Sequence, residues 1–150
     1  MFRLYSFPWE TWQSVALLVL RLVVGIAFIL HGLPKIKNPL HWMGDKVPSI
    51  FQLASAIAEF GGGIALILGF LTPIAAALLV INMACALLLV HFPQHQPFVG
   101  GGPGGSFELP LVYLAVMLGL IATGPGRYSL DAQLWGSHNV VIERQATYTY

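Results

Sequence analysis

Three polar side chains fall deep inside apolar runs, where a chain could carry them only at a cost: Arg21, Glu59 and Asn82. An ionised group at a bilayer centre costs about 2.5–3.5 kcal/mol on insertion scales. Each must therefore be paired or functional. Arg21 lies 12 residues before Leu33, about 18 Å below that membrane face at the rise of an α-helix. Glu59 lies 11 residues after Pro48, about 16 Å below the same face. On antiparallel helices these depths match, and an Arg21–Glu59 ion pair is expected, with Asn82 near enough to the midplane to join it. Gly62 and Gly63 follow Glu59 at i+3 and i+4, and Gly25 and Gly32 follow Arg21 at i+4 and i+11, each on the face of its charge. Small residues let membrane helices approach closely. Such a pair either locks the bundle or also lines a ligand site or proton path, and both readings stay open.

A second set sits nearer one membrane face. His31 and Lys35 are i, i+4 at the end of the first apolar run. His91 ends the third, His95 follows just beyond Pro93, and Glu108 opens the fourth, where a carboxylate suits a helix N-terminus. Three chemistries fit these types. They can be interfacial groups satisfied by water and lipid headgroups. They can form a quinone-headgroup or small-substrate site, with His or Glu exchanging protons as a carbonyl is reduced. They can bind a metal, with His31 and His91 as axial haem ligands or His91 and His95 on copper. No spacing here is diagnostic of a metal, so no intrinsic cofactor is expected, and a quinone is the candidate ligand. At 100° per residue, His91 points roughly opposite Asn82, so the two sets need not be continuous.

The elements that position these residues are set by composition. The chain has 150 residues, 57% of them hydrophobic and 9% charged, with a mean hydropathy of +0.76. Soluble domains carry about 25% charged residues, so this is an integral membrane protein surrounded by lipid. The formal charge of +1 gives no basic patch for nucleic acid. A lone cysteine, Cys85, excludes an internal disulfide and dithiol chemistry, and its apolar setting suggests a buried, inert thiol.

Four apolar segments read as spanning helices: about 12–33, closed by Pro34; 48–70; 73–92, with Thr72 as N-cap before Pro73; and 106–123, closed by "GPG" at Gly124 to Gly126. Arg21 interrupts the first run and no convincing cleavage site follows, so it reads as a permanent helix rather than a signal peptide. "GGGPGG" (Gly100 to Gly105) lacks the Lys-Ser/Thr of a phosphate-binding loop and reads as an irregular connection. "YSLDAQLW" (128–135) reads as a short interfacial helix with an aromatic anchor. The expected organisation is one four-helix domain over 1–135 and a polar tail over 136–150, either disordered or paired with another chain. Arg3, Arg127 and Arg144 on one side balance Lys35, Lys37 and Lys46 on the other, so positive charge does not fix orientation.

"RLVVGIAFILHGLPKI" (Arg21 to Ile36), "AEFGGGIALILGFLTPIAAALLVINMACALLLVH" (Ala58 to His91) and "GPGRYSLDAQL" (Gly124 to Leu134) together resemble the DoxX family of small four-helix membrane proteins. The family motif falls on Arg21, Gly25, Gly32, Lys35, Glu59, Gly62, Gly63, Gly69, His91, Gly124 and Asp131. The resemblance implies an all-α, antiparallel, multi-pass bundle linked to redox processes. Its relatives include a membrane subunit of a thiosulfate:quinone oxidoreductase and partners of oxidative-stress enzymes. The architecture is also similar to four-helix thiol-redox enzymes, but their cysteine pair is missing here. The expected protein is a small subunit of the bacterial inner membrane that supports quinone-linked electron transfer beside another redox or membrane-complex subunit. Arg21, His31, Lys35, Glu59, Asn82, His91 and Glu108 would be its ligand-site candidates, and Gly25, Gly32, Gly62, Gly63 and Asp131 structural. A non-catalytic accessory or assembly subunit and a small oligomeric transporter are the alternatives.

Overall fold

A computed structural model describes residues 11–100 and 105–135. The tail over 136–150, the first ten residues and most of the glycine-rich loop lie outside these. Four helices run in order: α1 (Thr11–Lys37), α2 (Ser49–Leu68), α3 (Thr72–Ala86) and α4 (Glu108–Thr123). A π-helical turn, Leu87–His91, extends α3, and a short helical segment covers 130–135. Among the described residues there is no strand. The first two helices, and α3 with its π turn, are long and apolar enough to cross a membrane; α4 is apolar and 16 residues long. The chain is thus an all-helical membrane bundle. Phe28, Leu66, Leu79, Met83, Met117 and Leu120 fill its centre, while Val23, Ile57, Ile81, Leu89 and Leu118 point outward, as lipid rather than water requires. Cys85 is exposed on that outer surface, which corrects the expectation of a buried thiol.

Helix α1 does not stop at Pro34. It continues through the proline to Lys37, because a membrane helix can absorb one missing N–H where neighbouring helices support it. The α2–α3 turn is tight. Gly69 closes α2 at φ +63°, with its N–H on the Leu66 carbonyl and the Phe70 N–H on that of Ala65, a glycine C-cap. Leu71 follows at φ +47°. Thr72 is not the N-cap of α3; its hydroxyl is buried without a partner among the described residues. The acceptor comes from far along the chain. Asp131 takes the N–H of Leu71 at 2.7 Å and of Thr72 at 2.8 Å, a capping carboxylate also favoured by the helix dipole.

The register of α1 against α2 follows from their glycines. A Cβ on Gly25 would sit 2.8 Å from the Gly63 carbonyl oxygen, and one on Gly63 would sit 2.7 Å from that of Gly25. A Cβ on Gly32 would sit 2.6 Å from the Phe60 nitrogen. Backbone meets backbone at both levels. Gly62 faces the other way, toward Leu79 of α3. Gly62 and Gly63 therefore serve different neighbours.

Candidate functional site

That register separates Arg21 from Glu59. With Gly25 on Gly63 and Gly32 on Phe60, Glu59 lies about level with the last two turns of α1, and Arg21 with Gly69. The expected Arg21–Glu59 pair does not form. The sequence count started both helices at one level, whereas α1 runs past Pro34 and α2 starts beyond it. The resulting error is about ten residues, or roughly 15 Å along the axis.

Arg21 is fully buried at the opposite end. Its Nη1 donates to the Pro125 carbonyl at 2.6 Å and its Nη2 to that of Tyr128 at 2.5 Å. Ser129 stabilises the same segment by donating to the Gly126 carbonyl and accepting the N–H of Ala132. Asp131, besides capping α3, donates its own N–H to the Gly69 carbonyl. A Cβ on Gly69 would strike the Arg21 guanidinium and Ser129. Arg21 is thus a staple between α1, the α2–α3 turn and the closing segment.

Glu59 is held by two other partners. Its Oε1 accepts from Lys35 Nζ at 2.6 Å and from Asn82 Nδ2 at 2.8 Å. One carboxylate oxygen thereby ties α1 to α3. Its Oε2 is buried and has no hydrogen-bond partner among the described residues. Lys35 is braced from behind by the Trp42 ring, with Nζ 4.3 Å from the ring centroid, a cation–π contact. Trp42 in turn donates Nε1–H to the Gln52 carbonyl. The buried Gln52 side chain fixes the α1–α2 connection, accepting the N–H of Met43 and donating to the carbonyls of Gly44 and Val47.

Beside Glu59 opens a cavity of ≈270 Å³. Its polar lining includes His31, Lys35, Glu59, His91 and Tyr113, and its apolar lining includes Phe28 and Met83. All four helical segments contribute. The His31 ring meets Tyr113 edge-on at 6.2 Å, and Phe28 packs on Tyr113 at 4.9 Å. His91 Nδ1 lies 2.5 Å from Gln96 Oε1. The π turn helps aim His91. Its wider turn, with the Phe92 N–H on the Leu87 carbonyl, retards the helical phase relative to a regular helix. The two sets, whose continuity helical phase left open, are joined through Glu59, which reaches Asn82 and lines the cavity.

The structure thus gathers His31, Lys35, Glu59 and His91 at one cavity, with Asn82 behind Glu59. It leaves Arg21 at the far end. Glu108 is exposed at the start of α4, and His95 is exposed at φ +51°; neither lines the cavity. Among the described residues, no group of three or more His, Cys, Asp or Glu side chains is placed to hold a metal ion. The sequence reading missed Tyr113, Trp42 and Gln52. Only Gln52, an amide inside an apolar run, left a signal that could have been followed.

A family model described as DoxX matches residues 16–92. The chain belongs to the DoxX family. "Inner membrane protein YqjF" of Escherichia coli is 34% identical over 128 residues, covering 81% of this chain and 94% of that protein. "Uncharacterized membrane protein Rv3486" of Mycobacterium tuberculosis is 32% identical over 132 residues, covering 79% and 81%. "Putative oxidoreductase CatD" of Bacillus subtilis is 28% identical over 122 residues, covering 79% and 86%. No solved structure matches the chain. In this DoxX protein the matched span holds Arg21, Lys35, Glu59, Asn82 and His91, whereas the partners of Arg21 lie beyond it in the closing segment.

Proposed function

We propose that this DoxX protein is a subunit of a redox system in the bacterial inner membrane, supporting quinone-linked electron transfer by holding a quinone headgroup in the cavity between its helices. The observation that carries this reading is the lining of that cavity, where Glu59, Lys35, His31 and His91 meet Phe28, Met83 and Tyr113. Drug-sized ligands occupy pockets of about 300–1,000 Å³. A cavity of ≈270 Å³ suits a single ring with its chain left in lipid. Phe28 and Met83 offer apolar and aromatic surface to such a ring, while Lys35, Glu59, His31 and His91 offer hydrogen bonds and proton exchange. Reducing a quinone to a hydroquinone takes two electrons and two protons. These side chains handle the protons, and in this reading a partner protein supplies the electrons. The names of YqjF and CatD, an inner membrane protein and a suggested oxidoreductase, agree with this setting.

The test is extraction of the purified protein from mild detergent, with analysis of bound quinone, and assay of the quinone reductase activity of whatever redox protein co-purifies. Bound quinone should be recovered, and Glu59→Gln should lower turnover by about a hundredfold, a common contribution of acid–base residues. Finding no quinone and no effect of Glu59→Gln would leave an accessory or assembly subunit.

A further inference from the structure

The seams between the helices decide from which side a ligand reaches the cavity. We infer that the cavity opens sideways into the bilayer between α1 and α4, and so takes a lipid-dissolved amphiphile, a polar ring on an apolar tail, rather than a solute from water. This rests on the cavity being a ring-headgroup site.

Helices α1 and α2 meet backbone to backbone at Gly25, Gly32 and Gly63. The α2–α3 and α3–α4 backbones also pack closely, whereas those of α1 and α4 do not. These two helices meet through rings instead, with Phe28 and His31 against Tyr113. Deeper along α4 the bundle is sealed, with Met117 and Leu120 at most 1% exposed. On the other side of Tyr113, His31 of α1 and Leu109 of α4 line the cavity and are both exposed. The mouth lies between them.

Its depth makes it a mouth to lipid. Tyr113 packs on Phe28, so Glu108, one to two turns earlier, comes level with about Leu33 of α1. Helix α1 runs on to Lys37, so α4 starts about four residues, roughly 6 Å, short of its end. At 16 residues, or about 24 Å, α4 is also shorter than a hydrocarbon core of about 30 Å. The connection that leads into it carries Phe92 and Phe98, both exposed, with their rings against Phe107. Exposed apolar rings are costly in water and at home among acyl chains. Leu30 and Val112, near the mouth, are exposed too. A cavity of ≈270 Å³ holds a ring and leaves no room for a long tail, which then lies between α1 and α4 in the lipid.

The experiment is photolabelling of the full-length purified protein in phosphatidylcholine nanodiscs. The probe is decylubiquinone carrying a diazirine on the third carbon of its tail, and labelled peptides are mapped by mass spectrometry. A tail dissolved in lipid marks every outward face, so the informative label is the part lost under excess unmodified decylubiquinone. That part should fall on α1 around Leu30 and His31 and on α4 around Leu109 and Val112. Competed label on the α1–α2 or α3–α4 connection instead would overturn the inference by showing entry from the water side, and would leave the headgroup reading intact. The unaltered protein is used throughout, so no outcome turns on whether a variant folds. No competed label anywhere on the chain would sink the headgroup reading itself.

Discussion

Lys35 and Glu59 meet across the α1–α2 contact at 2.6 Å, one residue 20% and the other 4% exposed at the side chain. The cation of α1 that answers the buried carboxylate is thus the one near the membrane face. It is not Arg21, which lies about three helical turns away and is occupied by backbone carbonyls.

Removing one member of this pair should cost more than removing both. Lys35→Met leaves Glu59 with Asn82 alone, so the carboxylate must stay uncompensated or take up a proton. Breaking a buried pair this way costs about 3–5 kcal/mol, whereas replacing both partners with apolar residues is often neutral. Thermal unfolding in detergent should show a large loss for Lys35→Met and recovery of most of it in Lys35→Met/Glu59→Leu. Additive losses would mean that the pair is not coupled.

The three consecutive glycines should respond in a graded way to alanine. A Cβ at Gly61 meets nothing within 4 Å, so Gly61→Ala should be neutral, or stabilising by up to about 1 kcal/mol through helix propensity. At Gly62 the nearest atoms are the Leu79 side chain at 3.2 Å, which can shift a little. At Gly63 the obstacle is backbone, the Gly25 carbonyl. Gly63→Ala should cost the most and pry α1 from α2. Melting temperatures falling in the order Gly61→Ala, Gly62→Ala, Gly63→Ala check this.

Much of this arrangement was legible in the chain. Four apolar runs gave the helices, and the cost of burying charge singled out Glu59 and Arg21. The glycines after Glu59 correctly signalled close packing. What failed was register. It depends on where helices begin and end, and Pro34 gave a false end to α1. Non-local caps were also out of reach: Asp131 serves amides 59 and 60 residues away, and Thr72 offered a plausible local substitute. Nothing in "LLLVH" marks it as a π turn, yet that turn helps bring His91 to the cavity. The role of Trp42 depends on a loop fold that Gln52 sets from inside α2.

Arg21 should be a stability residue with no part in ligand preference. Its planar guanidinium spans two carbonyls of the closing segment at once, which a lysine ammonium cannot reproduce. Losing a hydrogen bond from a charged group costs about 1.5–3 kcal/mol. Arg21→Lys should therefore speed amide exchange across 124–131 while leaving the recovery of bound quinone from the far cavity unchanged. A changed recovery would show that the two ends of the bundle are coupled.

Gln52 should hold the α1–α2 connection closed. Its carbonyl oxygen serves the Met43 N–H, and its NH₂ serves the carbonyls of Gly44 and Val47. Gln52→Ala leaves these backbone groups to find water or go unmet, at about 1–3 kcal/mol for each that stays buried. Gln52→Glu keeps the acceptor but, when ionised, presents an oxygen to the two carbonyls in place of donors, so it should be no better than alanine. Loosening the connection frees Trp42, and with it the rear support of Lys35. Lys37 and Lys46 flank this stretch and are exposed, so trypsin reports on it directly. Cleavage there should accelerate at least about tenfold in both variants, as a loss of roughly 1.4 kcal/mol in local closing free energy requires when opening is fast relative to cleavage. If Gln52→Glu cleaves as slowly as the unaltered protein, the donated bonds to Gly44 and Val47 are not what holds the loop.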